Sequence, residues 1–159
     1  MKELVLLAEQ IAVRLRERGD TVAVAESSAG GLITAALLAV PNASAYCVGG
    51  VVLYTRKSWH ALRDFDDELF KGVRAGTEEH ALIRARIARD RFGADWGIGE
   101  TGATGPTGNR YGDPAGHACV AVAGRVERVK TLQTGSSDRV ANMHTFASAA
   151  LTLLGESLG

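Results

Sequence analysis

Cysteine is scarce in this 159-residue sequence, which contains only two, and long apolar runs are absent. Cys47 and Cys119 both lie in apolar, strand-like segments, so we interpret them as small buried side chains rather than a disulfide or a metal-binding pair. No apolar run approaches the roughly 20 residues of a membrane-spanning helix, and the N-terminal residues do not resemble a secretory signal. We therefore expect a soluble, cytoplasmic protein that has no membrane partner.

An excess of charge of either sign is also missing, because 18 basic residues balance 18 acidic ones. Proteins that bind nucleic acid non-specifically usually carry a net positive charge, so we expect no nucleic-acid partner. The histidines show no metal-ligand spacing, and we expect neither a metal nor another cofactor. These four residues are His60, His80, His117 and His144.

Helical and strand-like patterns alternate along the chain and predict a single domain over residues 1–159. The predicted helices cover residues 4–18, 32–39 and 77–91, with short helices at 59–63 and 66–71 and a last helix capped by Ser136 or Ser137 that runs to about Leu154. The predicted strands cover 22–25, 46–55, 95–101, 117–123 and 126–133. This order predicts an α/β fold, a three-layer α/β/α sandwich. The final two strands form a hairpin, so the sheet should be mixed and mostly parallel.

One helix of this predicted fold is strongly basic. The segment 77–91 begins with a capping signature and then carries four arginines. We expect all four to form its solvated face, since charged side chains are rarely buried. They are Arg84, Arg86, Arg89 and Arg91.

Residues 21–31 place an acid, two serines and two glycines between a buried strand and a helix. The unpaired N–H groups at a helix N-terminus favour an anion or a developing oxyanion, so this turn is a candidate site for a serine nucleophile or for anion binding. The alternative interpretation is that Ser27 and Ser28 only cap the helix. Glu26 is either a solvated acid at the strand end or the partner of a base.

Three irregular stretches each follow a predicted strand. Because strands that share a direction bring the loops after them to one edge of the sheet, the hydroxyls of Ser27, Tyr54 and Thr101 should meet in one crevice. The glycine-rich loop 102–116 offers backbone N–H groups to a phosphate or carbonyl oxygen, although it could also be a plain connection. It matches neither the Walker pattern nor the dinucleotide-binding fingerprint.

Three motifs, taken together, resemble the CinA C-terminal domain family of competence/damage-inducible proteins, which includes nicotinamide mononucleotide deamidases. These motifs are Ala-Glu-Ser-Ser-Ala-Gly-Gly at 25–31, the Gly-Gly-Val-Val core of 46–54, and Thr-Gly-Ala-Thr-Gly-Pro at 101–106. The likeness runs from about Leu4 to Leu154. It implies an α/β/α sandwich, frequent homodimers, and metal-free hydrolysis of nicotinamide mononucleotide to nicotinate mononucleotide and ammonia.

The resemblance also implies roles for individual residues. It makes Ser27 the nucleophile, with Tyr54 and Thr101 positioning the substrate and Arg139 binding its phosphate. The other expected substrate contacts are Glu26, Ala29, Gly30, Gly31, Trp59, Gly102 and Gly105, with the backbone N–H groups of residues 29–31 holding the oxyanion.

The sequence departs from the family pattern where the catalytic base should be. The family's lysine, five residues after the tyrosine, is Trp59 here, and an indole cannot accept a proton. A serine hydroxyl needs a base, whose assistance is worth about 10²–10⁴ in rate. Lys57 and His60 are the candidate substitutes, but two residues along a helix rotate a side chain by about 200°, which turns Lys57 away.

Three hypotheses about function follow from these residues. The first is an amidohydrolase that acts on nicotinamide mononucleotide through Ser27, with Lys57 as the named substitute base. The second is a hydrolase of a different small amide. The third is a non-catalytic domain that binds a nucleotide for regulation, with Trp59 stacking on the ligand.

Overall fold

The computed structural model describes residues 1–62 and 67–159. Its helices are α1 (Lys2–Arg18), α2 (Leu32–Leu38), α3 (Arg56–Ala61), α4 (Glu78–Phe92) and α5 (Arg139–Leu158), with short 3-10 helices at Ala43–Ala45 and Asp67–Phe70. Its strands are β1 (Val22–Glu26), β2 (Cys47–Val52), β3 (Trp96–Ala103), β4 (His117–Ala123) and β5 (Glu127–Gln133). The short helices predicted at 59–63 and 66–71 fall partly on residues outside the described ranges.

The strands form one mixed sheet in the order β2-β1-β3-β4-β5. β1 pairs in parallel with β2 and β3, whereas the β3–β4 and β4–β5 pairs are antiparallel. The carboxyl ends of β2, β1 and β3 therefore lie side by side at one edge of the sheet. This arrangement brings together the loops that follow those strands.

Both faces of β1 are covered, and its alternating residues separate the two helical layers. Val22 and Val24 belong to the core cluster that α1, α2 and α5 share. Ala23 and Ala25 pack with Ala88 of α4 on the opposite face. The predicted three-layer α/β/α sandwich with a mixed sheet is confirmed.

Helix α4 lies unusually close to β3 because two glycines of the strand face it. A Cβ atom on Gly97 would lie 1.9 Å from the carbonyl oxygen of Ala85, and one on Gly99 would lie 2.0 Å from that of Ala81. Only glycine permits this approach, since real Cβ contacts are much longer. The close packing carries the middle of α4 to the carboxyl end of β1.

Several predicted boundaries change in the structure, and the strand predicted at 46–55 is shortened to Cys47–Val52. Helix α5 is capped by Asp138, whose carboxylate accepts a hydrogen bond from the N–H of Ala141 at 3.0 Å. Neither Ser136 nor Ser137 is the cap, and the helix continues past Leu154 to Leu158. The third strand also extends to Ala103, since its pairing with β4 continues beyond the expected end.

Both cysteines are free thiols in the described structure. Cys47 and Cys119 are both buried and unbridged, as predicted. Within residues 1–62 and 67–159, no cluster of three or more His, Cys, Asp or Glu side chains has a metal-binding arrangement. No helix in the same ranges is long and apolar enough to cross a bilayer.

Candidate ligand-binding site

A cavity of about 800 Å³ opens at the carboxyl ends of the parallel strands. Ser27 after β1, Tyr54 after β2 and Thr101 at the end of β3 all line it, which is the convergence that the strand order predicts. Its remaining walls come from α3, the segment 68–75, helix α4 and the glycine-rich loop. The cavity is therefore built from every loop at this edge of the parallel strands.

The turn that contains Ser27 is held by a buried acid of the neighbouring strand. Glu100 lies in β3 with 0% of its surface exposed. Its carboxylate accepts hydrogen bonds from the N–H groups of Ser27 at 2.8 Å and Ala29 at 2.9 Å, and from the hydroxyl of Ser28. Glu100 is not among the site residues predicted from the sequence. The available signal was an acid inside an otherwise apolar strand, which needs buried donors.

A second buried acid, Glu26, serves helix α2 instead of the cavity. Its carboxylate accepts hydrogen bonds from the N–H groups of Gly31 at 2.9 Å, Ile33 at 3.2 Å and Thr34 at 3.0 Å, and from the Thr34 hydroxyl at 2.6 Å. Burial raises the pKa of the Glu26 carboxyl, although the Thr34 hydrogen bonds oppose this shift. The expectation of a solvated or substrate-binding acid is wrong, because Glu26 is fully buried and does not line the cavity.

The expected oxyanion donors of the turn are already occupied. The N–H of Ala29 donates to Glu100, that of Gly31 donates to Glu26, and that of Gly30 donates to the Ser27 carbonyl at 3.0 Å. These three N–H groups are therefore engaged within the protein, and their role in holding an oxyanion stays a prediction. The physical reason for this engagement is that two buried carboxylates each need several donors, and this turn supplies them.

Neither candidate base lies at the cavity. Helix α3 begins after its cap, Thr55, and turns Trp59 inward, where it is 8% exposed and lines the cavity. Lys57 and His60 are exposed and do not line it. Within the described ranges, Ser27 Oγ has no hydrogen-bond partner, although Ser27 faces the cavity. The structure therefore does not bring Lys57 or His60 to the serine.

Arg84 of α4 is the largest correction to the predicted site. It is 3% exposed, not part of a solvated face, and lines the cavity. Its Nη1 donates to the carbonyl of Glu26 at 3.4 Å, and its Nη2 donates to that of Leu53 at 3.0 Å. The guanidinium lies 4.5 Å from the centroid of the Trp59 ring. Arg84 is buried because the glycines of β3 draw α4 onto the strand ends.

Burial sets the charge states of Arg84 and its neighbour His80. It lowers the pKa of Arg84 to about 10, while Glu100 opposes this shift, so Arg84 stays protonated at neutral pH. Burial and the Arg84 charge lower the pKa of His80 to about 3. The His80 Nδ1 atom accepts a hydrogen bond from Arg84 Nε at 3.3 Å. His80 is therefore a neutral imidazole whose basic nitrogen is already engaged.

The other predicted contacts lie at or beside the cavity. Thr101 Oγ1 accepts a hydrogen bond from the N–H of Gly76 at 3.1 Å, and Gly102 lines the cavity with it. Arg139 does not line the cavity. It donates to the carbonyl of Gly105 at 2.6 Å and to the Tyr54 hydroxyl at 2.9 Å. Arg139 thus joins the glycine-rich loop to Tyr54.

The glycine-rich loop is folded on itself rather than left open. The Asn109 side-chain oxygen accepts hydrogen bonds from the N–H groups of Tyr111 at 2.9 Å and Asp113 at 3.1 Å. Asp113 also binds Arg74 through both carboxylate oxygens, at 2.5 and 3.1 Å. These contacts fasten the loop to the segment that precedes α4.

Positive charge predominates among the cavity-lining residues that the structure describes. Among the described lining residues, four are cationic and one is acidic. They are Arg56, Lys71, Arg84 and Arg110, with Glu68 as the acid. All except Arg84 are exposed at the rim. None of these charged residues was predicted to lie at the site, and Arg84 was expected on a solvated face.

The fold and the cavity define a class, namely α/β/α sandwich domains with a cavity at the carboxyl edge of their parallel strands. Within it, the chain belongs to the CinA family, because the family model described as CinA C-terminal domain matches residues 5–158.

Relatives and solved structures agree with this assignment. The chain is 38% identical over 150 residues to a CinA-like protein of Anaeromyxobacter sp., covering 93% of this chain and 36% of that protein. It is 42% identical over 118 residues to a CinA-like protein of Prochlorococcus marinus, covering 74% of this chain and 28% of that protein. The chain thus spans about a third of the length of these relatives.

The structural matches extend over almost the whole of both chains. A CinA superfamily protein from Klebsiella pneumoniae superposes with a TM-score of 0.88 at 27% identity, covering 98% of this chain and 97% of that one. A competence or damage-inducible protein from Enterobacter asburiae gives 0.89 at 25% identity, covering 98% of each chain.

Proposed function

We propose that this domain binds a pyridine mononucleotide of the nicotinamide mononucleotide class in the cavity beside Ser27. The cavity carries the proposal, because its volume of about 800 Å³ suits a ligand of that size. Trp59 and Tyr111 offer aromatic surfaces to a flat ring. Arg56, Lys71 and Arg110 offer positive charge to a phosphate at the exposed rim. Family membership makes this ligand class the first to test.

The geometry around Ser27 favours binding without turnover. A serine hydroxyl attacks an amide only when a base removes its proton and donors stabilise the resulting oxyanion. Lys57 and His60 lie off the cavity, and the N–H groups of residues 29–31 already donate to protein acceptors. In this proposal Trp59, which stands where the family has its lysine, packs beside the ligand and supplies no proton acceptor.

Amide hydrolysis is the second candidate function, and one observation favours it. Ser27 lines the cavity, and its hydroxyl has no hydrogen-bond partner in the described part of the chain. In this reaction Ser27 Oγ would attack the carboxamide carbon and release ammonia. Water would then hydrolyse the acyl-enzyme to nicotinate mononucleotide. This route requires α3 to rearrange so that Lys57 or His60 reaches the serine.

Calorimetric titration with nicotinamide and nicotinate mononucleotides, together with an assay of ammonia release, separates the two candidates. Binding of either nucleotide without ammonia release supports the binding domain. Ammonia release that Ser27→Ala abolishes, and that Ser44→Ala at an exposed position retains, supports the hydrolase instead. The absence of both binding and release would overturn both candidates for this ligand class.

A further inference from the structure

Among the described residues, no acid forms an ion pair with Arg84. In the part of the chain that the structure describes, no carboxylate oxygen lies within 4.0 Å of its guanidinium. Buried arginines are almost always paired with an anion, because an isolated buried charge is costly. Glu100 is the acid that acts on Arg84 electrostatically, but its carboxylate is taken up by three donors of the Ser27 turn.

Arg84, which lines the cavity, also has N–H donors that bind no acceptor among the described residues. A guanidinium has five N–H donors. Three hydrogen bonds use one donor each, to His80 Nδ1 and to the carbonyls of Glu26 and Leu53. Two donors therefore have no acceptor among the described residues. A ligand in the cavity can supply acceptors for these two donors and a negative charge that no described residue provides within 4.0 Å.

The position of Arg84 separates it from the other cations of the cavity. Its bond to the Glu26 carbonyl places it beside Ser27, and the Trp59 ring packs against it. Arg56, Lys71 and Arg110 are exposed at the rim, where a phosphate keeps part of its hydration. A mononucleotide with its phosphate among the exposed cations and its ring beside Trp59 would have its ring substituent next to the buried Arg84.

We propose that Arg84 binds the carboxylate of the acid-form pyridine mononucleotide, so that the cavity selects nicotinate over nicotinamide mononucleotide. A planar guanidinium matches the two oxygens of a carboxylate. A carboxamide offers only one oxygen and would turn its NH₂ group toward the arginine donors. This inference rests on the proposed function of the cavity and names the ligand form that the buried charge requires.

Calorimetry with both mononucleotides tests the preference in the unmodified protein. We expect the acid to bind about 10- to 100-fold more tightly than the amide, the range that one charged hydrogen-bonded contact supplies. Equal binding, or tighter binding of the amide, overturns this inference while the proposed function stands. If neither nucleotide binds, both are overturned.

Variants at Arg84 assign the preference to this residue. Arg84→Met should bring the two affinities to within about threefold of each other, since it removes the charge and the donors. Arg84→Lys should keep only part of the preference, because an ammonium lacks the planar fork. Arg86→Met is the matched control, since Arg86 is exposed on the same helix and pairs with Glu127 at 2.6 Å. A preference that survives Arg84→Met contradicts the proposal.

The ribosides, which lack the phosphate, distinguish the two anionic groups of the ligand. If Arg84 binds the carboxylate, nicotinate riboside keeps its advantage over nicotinamide riboside, and Arg84→Met abolishes it. If Arg84→Met weakens only the ligands that carry a phosphate, Arg84 is a phosphate ligand and the proposal is wrong. Circular dichroism checks that each variant is folded. If Arg84→Met is unfolded, Arg84→Lys and the unmodified protein decide the outcome.

Discussion

Glu100 shows how one buried side chain can organise a turn on another strand. It lies in β3, yet two of its three hydrogen-bond donors are backbone N–H groups of the turn after β1. The carboxylate thereby fixes the position of Ser27 at the cavity. Because hydrogen bonds to a buried ionised group are stronger than neutral ones, this contact should contribute measurably to stability.

Replacing Glu100 by glutamine tests this contribution. Glu100→Gln keeps the shape but weakens the charge-assisted bonds and turns an NH₂ group toward N–H donors. We expect a loss of about 2–4 kcal/mol in the free energy of unfolding, measured by urea denaturation. Glu79→Gln, at an exposed position on α4, is the control and should change stability little. Equal stabilities of the two variants would contradict the role assigned to Glu100.

At the scale of elements, the spacing between α4 and β3 depends on the glycines of the strand. Gly99→Ala would place a Cβ atom 2.0 Å from the Ala81 carbonyl oxygen, so the helix would have to move. We expect a loss of about 2 kcal/mol or more in the free energy of unfolding, measured by urea denaturation.

Gly155→Ala in α5 is the matched control for Gly99→Ala, since its Cβ would lie 3.8 Å from Ile11. It should stabilise the protein by up to about 1 kcal/mol, because alanine is the better helix former. A mild effect of Gly99→Ala would show that the close packing is dispensable.

The start of α5 provides a second element-scale prediction. Asp138→Ala removes the side chain that accepts from the Ala141 N–H, and we expect it to cost about 1 kcal/mol in thermal or chemical unfolding. Ser137→Ala removes an exposed hydroxyl that does not cap the helix, and it should be nearly neutral. A larger loss of stability from Ser137→Ala than from Asp138→Ala would indicate that Ser137 caps the helix, as the sequence pattern predicts.

Across the whole molecule, His80 should make stability depend on pH. Its pKa is about 3 in the folded protein against an ordinary 6.5, so the unfolded chain binds the extra proton between these values. This contribution is complete above pH 6.5 and is lost as the pH falls toward 3. From pH 7 to pH 5 we expect His80 to account for a loss of about 2 kcal/mol in the free energy of unfolding.

Comparison with His80→Gln isolates this effect, because the other titrating groups, including Glu26 with its raised pKa, are common to both proteins. The variant should lose less stability between pH 7 and pH 5 than the unmodified protein, as measured by urea denaturation at each pH. Parallel pH profiles for His80→Gln and the unmodified protein would rule out a neutral, buried His80.

Local sequence patterns determined the element order and the place of the site. Apolar periodicity distinguishes helices from strands, and parallel strands bring their following loops to one edge, so Ser27, Tyr54 and Thr101 meet as predicted. The family motifs lie in the same loops. These features depend on the order of residues along the chain and on backbone geometry, and both can be inferred without knowing any contact.

Tertiary structure alone decided what the charged groups do. Glu26, Glu100 and Arg84 are of residue types that usually lie at the surface, yet all three are buried. Their burial follows from the glycine-dependent packing of α4 on β3 and from the turn after β1, where residues far apart in sequence supply hydrogen-bond donors and acceptors. An ionisable residue acquires its role from these distant partners, so no local pattern could show that the two acids accept hydrogen bonds from the backbone N–H groups beside Ser27, or that Arg84 lines the cavity.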